Sequence, residues 1–280
     1  MSKDVVPIVS FPKSGNTWVR FLLANLLKKD QDLAVDFENI NHMMPTSLGR
    51  GESVEHFIEG TPLFVKSHSS YYDMLYRDFD KAIYIYRDGF DALYSYWHFT
   101  DAQSPGLYPN VEVFSKCYWS YCGHWGRHLY SWIVDEKTKK SHKVLAFSYE
   151  RLMGETTAVL REVADFLCID VSEERIARAV QLSDKKNMKK MSGSKDFMKS
   201  RKKGFHFVRS ANKGEAKEML PESCKRKFLN NSLNYELMTK FGYLDVSNQS
   251  YRNKKGGGTP IFDRILRRFY NVKFRLYRFF

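Results

Sequence analysis

A strand, a short loop and a helix follow one another near the N-terminus, and this unit constrains the fold more than any other feature. Val5 to Val9 form an apolar run, and residues 17–29 carry apolar side chains in the pattern of a largely buried helix. Between them lies the loop Ser10-Phe-Pro-Lys-Ser-Gly-Asn-Thr17. A glycine-containing turn that opens a helix presents unpaired N–H groups and the positive end of the helix dipole. The unit predicts a phosphate site, against the alternative of an ordinary turn with a surface lysine. The side chains of the loop that could also donate to a phosphate are those of Lys13, Ser14, Asn16 and Thr17.

Three further apolar runs, at residues 63–65, 81–86 and 143–147, each predict a buried strand. Helical patterns separate them, which is typical of a mostly parallel sheet covered on both faces. The fold class predicted is therefore α/β, a P-loop-like central parallel β-sheet flanked by helices in a single domain, residues 1–252. Residues 253–280 are predicted to be a glycine-rich linker and a basic aromatic tail. The predicted helices cover 91–99, 111–132 as one long aromatic helix, 157–167, 172–182 and a last helical region at 221–241, with a loop at 183–203.

Polar side chains follow each predicted strand. Lys13 comes after the first strand, Lys66 and His68 after the second, Arg87 after the third and Tyr149 after the fourth. In parallel sheets ligands bind beyond the carboxyl ends of the strands, so we expect these residues to surround one site.

The overall charge and the cysteines limit the class of protein. The net charge of +13 favours anionic ligands without choosing among them. Four cysteines without a CxxC pair argue against a disulfide scaffold and favour a reducing compartment. With no secretory signal and no apolar stretch long enough to cross a bilayer, we expect a soluble, cytoplasmic protein. Metal is not expected, because the one ligand-rich stretch lacks the turn that usually separates zinc ligand pairs. Its members are Cys117, Cys122, His124 and His128.

The loop from Phe11 to Trp18 resembles the 5′-phosphosulfate loop, usually written PKSGTTW, of sulfotransferases that use 3′-phosphoadenosine 5′-phosphosulfate (PAPS). Asn16 stands where that family has threonine. Residues 86–95 are similar to the family's 3′-phosphate segment, in which a serine follows an arginine by eight residues, as Ser95 follows Arg87.

Four shorter segments support the resemblance by their order. Lys66-Ser-His68 resembles the family's catalytic segment, and Gly123-His-Trp-Gly-Arg-His128 resembles its Gly-x-Trp-x-x-His helix. Phe147-Ser-Tyr-Glu150 resembles the segment whose tyrosine approaches the adenine. Residues 207–217 match the family's late basic segment more weakly: Arg209 and Gly214 agree, but Ser210, Ala211 and Ala216 depart from it.

The resemblance implies a transfer of the sulfuryl group from PAPS to a hydroxyl or amine, with adenosine 3′,5′-bisphosphate (PAP) as product. It implies that His68 is the general base, that Lys13 neutralises the bridging oxygen and that Lys66 assists. Arg87, Ser95 and Arg209 would bind the 3′-phosphate. The nucleotide-binding residues it implies are Lys13, Ser14, Gly15, Asn16, Thr17, Trp18, Arg87, Ser95, Tyr149 and Arg209.

Two other functions stay open on the sequence. A P-loop kinase using ATP could employ Asp88 but lacks the GK[ST] part of the Walker pattern. A basic polyanion-binding protein would fit the charge, yet no nucleic-acid-reading motif is present, so nucleic acid is not the expected partner. The expected partner is a small-molecule acceptor of open identity. Residues 261–280 could lie on an anionic membrane or pack against the domain, and the oligomeric state is open.

Overall fold

The computed structural model describes residues 5–46, 56–74, 78–117, 124–192 and 214–245. Within these ranges four parallel strands form one sheet in the order β2-β1-β3-β4. This confirms the predicted parallel sheet. The strands are β1 (Val5–Ser10), β2 (Leu63–Ser67), β3 (Lys81–Tyr86) and β4 (Lys143–Ser148).

Helices connect and cover the strands. The first half of the chain contains α1 (Asn16–Leu27), α2 (Ile40–Met43), α3 (Gly89–Gln103), α4 (Val111–Cys117) and α5 (Trp125–Leu129), which runs on into a π-helical turn (Tyr130–Val134). After α6 (Glu136–Ser141) and β4 come α7 (Tyr149–Gly154), α8 (Thr156–Leu167), α9 (Glu173–Leu182), α10 (Lys185–Ser192), α11 (Glu215–Met219), α12 (Glu222–Leu229) and α13 (Ser232–Lys240).

Two apolar cores lie on opposite faces of the sheet because successive strand residues point to opposite sides. Ile83 and Ile85 pack on one face with α1, α8 and α9. Ala82 and Tyr84 pack on the other with α3, α5, α12 and α13. Burial of a large aliphatic side chain such as Ile83 stabilises the fold by about 1.5–3 kcal/mol. Both faces are therefore covered, as the apolar runs predicted.

The chain leaves β1 toward β2 on one side and returns to β3 on the other. The connections after β1 and β3 therefore diverge, and in sheets of this kind ligands bind at such a point, at the carboxyl ends of the two central strands. Strand β1 pairs with β2 from Val5 onward but with β3 only from Ile8, so Pro7, which lacks an N–H, precedes that second ladder.

The single long helix predicted at 111–132 is wrong. Helix α4 is described as far as Cys117, and His124 has an extended backbone (φ −91, ψ 145) immediately before α5, which interrupts any continuous helix. Asn234 on α13 supplies the physical reason, because its Oδ1 accepts the Gly126 N–H at 2.8 Å and caps the new helix. A Cβ on Gly126 would lie 2.6 Å from that oxygen. Residues 118–123, including Cys122, lie outside the described ranges.

Two other expectations also need correction. Part of the predicted loop at 183–203 is helix α10, whose N-terminus is capped by Asp184 through the Asn187 N–H and which buries Met188 in the core. Residues 193–203 of that prediction lie outside the described ranges. The last helical region is two helices, because Asn231 interrupts it and caps α13 through the N–H groups of Leu233 and Asn234. The predicted linker and tail at 253–280 lie outside the described ranges.

Candidate functional site

The loop between β1 and α1 is a tight turn with two left-handed residues. The Ser14 N–H donates to the Phe11 carbonyl at 3.2 Å, and Lys13 (φ 65) and Gly15 (φ 106) both have positive φ. These angles turn the chain directly into α1, which is 12 residues long. The first N–H groups of this helix lack intrahelical partners and lie at the positive end of its dipole. The loop therefore has the backbone conformation that binds phosphate oxygens.

Ser14 supplies an independent sign that the loop binds a ligand. Its side chain is fully buried, and its Oγ has no hydrogen-bond partner among the described residues. A buried polar atom without a partner costs about 1–3 kcal/mol. An anionic oxygen bound in the turn would satisfy this hydroxyl, so the loop fits a phosphate.

Gly15 is required by two features of its surroundings. Its φ of 106 is a conformation that other residues rarely adopt. A Cβ at this position would lie 2.7 Å from Cδ2 of Tyr149, which is too close for any real contact. The aromatic ring that follows β4 thus packs directly against the loop that follows β1.

The side chain of Asn16 donates to the protein itself, whereas the sequence suggested that it would donate to a bound phosphate. The side chain is buried, and its Nδ2 donates to the Ile8 carbonyl at 2.9 Å. It therefore joins the start of α1 to strand β1. The backbone N–H of Asn16, at the first position of the helix, remains available for a phosphate oxygen.

Arg87 lies where the residues after β1, β3 and β4 meet. Its guanidinium is 4.6 Å from the centre of the Tyr149 ring, and its Nη1 donates to the Lys13 carbonyl at 3.3 Å. Trp18 meets the same tyrosine edge-on at 5.9 Å, and its Nε1–H donates to the Ser183 carbonyl at 2.8 Å. The fold therefore brings together Lys13, Trp18, Arg87 and Tyr149, which come from three separate segments of the sequence and which the resemblance assigned to one nucleotide.

His68 lies beside the same loop, after β2. Its Nδ1 is 2.7 Å from the Ser10 carbonyl, which can only accept, so Nδ1 carries the proton and Nε2 carries the lone pair. Burial, followed by the charge of Lys66, lowers the pKa of His68 to about 3. The imidazole is therefore neutral at physiological pH, as a general base must be.

His128 is a site residue whose place the sequence did not reveal. It is fully buried; its Nε2 donates to the His68 carbonyl at 3.1 Å and its Nδ1 accepts from the Tyr84 hydroxyl at 2.8 Å. Burial lowers the pKa of His128 to about 3. This histidine holds the backbone of the candidate base, a role that neither the Gly-x-Trp-x-x-His pattern nor the ligand-rich stretch at 117–128 had indicated.

The remaining predicted residues have different outcomes. The Lys13 ammonium lies 4.3 Å from the centre of the Phe99 ring, so the loop also meets helix α3. Thr17 and Ser95 are half-buried, on α1 and α3. Arg209 lies outside the described ranges.

Two kinds of structural feature do not occur in the described ranges. No three His, Cys, Asp or Glu side chains there come together as metal ligands. The helices of those ranges include none long and apolar enough to cross a membrane. Cys117 and Cys224 are buried thiols and Cys168 is an exposed one.

The sheet, the loop and the residues beyond the strand ends define an α/β protein with a candidate nucleotide-phosphate site. The family model described as "Sulfotransferase domain" matches residues 3–242, which is most of the chain. The chain therefore belongs to the sulfotransferase family.

Curated relatives with sequence similarity are sulfotransferases. The chain is 28% identical over 205 residues to Sulfotransferase 1A1 of Bos taurus, a match that covers 67% of this chain and 66% of the bovine protein. It is 26% identical over 186 residues to Cytosolic sulfotransferase 7 of Arabidopsis thaliana, which covers 59% and 56% respectively. The chain thus spans less than two thirds of the length of each of these relatives.

Two solved structures share the fold. Mouse sulfotransferase SULT7A1 complexed with PAP matches with a TM-score of 0.56 at 18% identity, over 97% of this chain and 90% of that one. Retinol dehydratase in complex with androsterone and the inactive cofactor PAP matches with a TM-score of 0.59 at 18% identity, over 84% and 80%. The P-loop-like fold expected from the sequence is therefore confirmed.

Proposed function

We propose that the chain transfers the sulfuryl group of PAPS to a hydroxyl or amine of a small-molecule acceptor. The single observation that carries the proposal is the buried Ser14 hydroxyl, left without a partner among the described residues in a turn that opens α1. Family membership sets the class of reaction. Both solved relatives contain PAP, the nucleotide that such a transfer releases.

The residues present fit a nucleotide with phosphates at two positions. Ser14, Lys13 and the first N–H groups of α1 suit the 5′-phosphate. Arg87, whose planar guanidinium matches phosphate geometry better than an ammonium does, suits the 3′-phosphate. Trp18, which is half-buried, suits stacking on the adenine, and Tyr149 lies against its edge on the same side of the site.

PAPS, when bound, supplies an activated sulfuryl group for in-line attack by the acceptor. His68 accepts the proton of the attacking hydroxyl or amine at Nε2, since Nδ1–H is held by the Ser10 carbonyl. Lys13 and the N-terminus of α1 stabilise the negative charge that remains on the 5′-phosphate. Lys66, close enough to lower the pKa of His68, adds positive charge at the reacting centre.

Aromatic side chains beside the loop favour an apolar or flat acceptor. Phe99 contacts the Lys13 ammonium, and Tyr94 and Trp97, which lie five and two residues earlier on α3, pack against each other. The solved retinol dehydratase structures hold androsterone or retinol, both of which are small apolar molecules with a hydroxyl group. These ligands support an apolar acceptor for the present chain.

The test is release of PAP from labelled PAPS by the purified protein, supplied with a panel of phenols, alcohols and amines. We expect release that depends on one acceptor class. His68→Ala should reduce kcat by about 10²–10⁴ and leave PAP binding unchanged. His42→Ala, at an exposed histidine of α2, is the matched control and should retain full turnover.

Two outcomes would count against the proposal in different ways. If the wild-type protein neither binds PAP nor releases it from PAPS with any acceptor, the proposed reaction is wrong. If His68→Ala retains full turnover, only the assignment of the base is wrong.

A further inference from the structure

Asp91 is a buried carboxylate next to the nucleotide-binding residues that the reaction above does not use. It lies in the first turn of α3, four residues after Arg87, and its side chain is only 2% exposed. A buried charge is strongly unfavourable unless it is paired and hydrogen-bonded. The contacts of this carboxylate therefore indicate what it does.

Three donors from the described ranges surround the Asp91 carboxylate. Arg87 Nη2 lies 3.4 Å from Oδ2, the Gly214 N–H donates to Oδ2 at 2.8 Å, and the Ala216 N–H donates to Oδ1 at 3.0 Å. The last two groups belong to the start of α11, where Gly214 has a φ of 80. One side chain thus joins Arg87 to a backbone turn more than 120 residues further along the chain.

The same contact restricts Arg87. Its guanidinium is held by the Asp91 carboxylate, by the Lys13 carbonyl and by the face of the Tyr149 ring. These three contacts restrict the position of the guanidinium. A guanidinium that forms a bidentate contact with phosphate oxygens binds more tightly when its orientation is fixed before binding.

We propose that Asp91 is a positioning residue: it orients Arg87 toward the 3′-phosphate and ties that arginine to the turn at Gly214. The proposal rests on the proposed use of PAPS. If Asp91 has this role, the protein distinguishes nucleotides with a 3′-phosphate from those without one because Asp91 orients Arg87. A carboxylate that merely anchored α11 to α3 would affect stability without affecting that discrimination.

The experiment compares the affinities for PAP and for AMP, which lacks the 3′-phosphate, by isothermal titration calorimetry. Asp91→Asn keeps the size of the side chain and one of the two oxygen acceptors for the Gly214 and Ala216 N–H groups, and it loses the charge that orients Arg87. We expect PAP affinity to fall about tenfold while AMP affinity changes less than about threefold. Asp88→Asn, at a buried carboxylate three residues earlier that caps α3, should leave the PAP-to-AMP ratio at the wild-type value.

A double-mutant cycle separates positioning from a structural role. Arg87→Ala should remove most of the preference for PAP, and adding Asp91→Asn to it should produce no further loss of that preference. Thermal unfolding of each variant reports stability separately from binding.

Each outcome has a defined meaning. A wild-type protein that binds neither nucleotide overturns the proposed function itself. A wild-type preference for PAP that Arg87→Ala removes but Asp91→Asn leaves intact overturns only the positioning role. An equal loss of PAP and AMP affinity in Asp91→Asn also overturns it, because that pattern is what an anchor of α11 would produce.

Discussion

Gly15→Ala should damage nucleotide binding far more than an alanine at another left-handed glycine. Two costs arise at this position. The φ of 106 strains any residue with a Cβ, and the new methyl group would lie 2.7 Å from Cδ2 of Tyr149. That ring cannot easily yield, because it is buried between the Trp18 indole and the Arg87 guanidinium.

The magnitude follows from separating these two costs. The backbone strain is worth about 1–2 kcal/mol, and it lowers the free energy of unfolding wherever it occurs. Displacement of the Tyr149 ring adds about 1–3 kcal/mol, the usual range for overpacking a filled site. Since the ring contacts both Trp18 and Arg87, we expect PAP affinity to fall by about tenfold or more.

Gly60→Ala is the matched control. Gly60 has a φ of 81, but nothing lies within 4 Å of a Cβ built there. Urea unfolding should show a loss of stability in both variants, larger for Gly15→Ala. PAP titration should show a loss of affinity for Gly15→Ala alone. Wild-type PAP affinity in Gly15→Ala would refute the reasoning that links the loop, Tyr149 and Arg87.

Three further predictions concern titration and buried charge. Because the pKa of His68 is lowered to about 3, kcat/KM should show no acid limb between pH 5 and 8 that belongs to this histidine; a limb near pH 6.5 that His68→Gln abolishes would contradict the prediction. Burial also lowers the pKa of His124 and His128 to about 4 and about 3, so the unfolded chain binds protons below pH 6.5 that the folded protein does not. Urea unfolding should therefore show that the free energy of unfolding falls from pH 6.5 to 4, by up to about 1.4 kcal/mol per pH unit for each histidine. Asp88 opposes this fall only in part, because burial and the charge of Asp91 raise the pKa of Asp88 to about 6. Arg20→Ala should lower the free energy of unfolding by about 3 kcal/mol, because the buried carbonyls of Ile40 and Met44 lose their donor; unchanged stability in the same assay would contradict this.

The parts of the fold that the sequence predicted depend on local signals. The four strands were visible as short apolar runs, and the polar residues that follow them stand directly after those runs. Because all four strands are parallel, their carboxyl ends share one edge of the sheet. The candidate positions of Lys13, His68, Arg87 and Tyr149 at one edge were therefore predictable without knowledge of strand order.

The parts that were missed depend on contacts between distant residues. The break before α5 arises from Asn234, which lies 108 residues beyond the Gly126 N–H that it caps. Residues 111–132 include Gly123 and Gly126, which are weak helix formers, but they contain no trace of that cap. The start of α5 is therefore fixed by a tertiary contact.

The same limit applies to the site. The tautomer of His68 is set by the Ser10 carbonyl, and its backbone is held by His128, 60 residues away. Asp91 stands in the segment that resembles the 3′-phosphate motif, but its bonds to Gly214 and Ala216 depend on how α11 packs against α3. Residue types could suggest which side chains touch a nucleotide, whereas the residues that orient them became visible only in the fold.

The most direct test of the central claim is a titration of the purified wild-type protein with PAP, AMP and ATP under identical conditions. The loop around Ser14 and the guanidinium of Arg87 predict that PAP binds at micromolar concentration or below, and at least about tenfold more tightly than AMP or ATP. Binding of ATP in preference to PAP, or no measurable binding of PAP, would contradict the assignment of this site to PAPS.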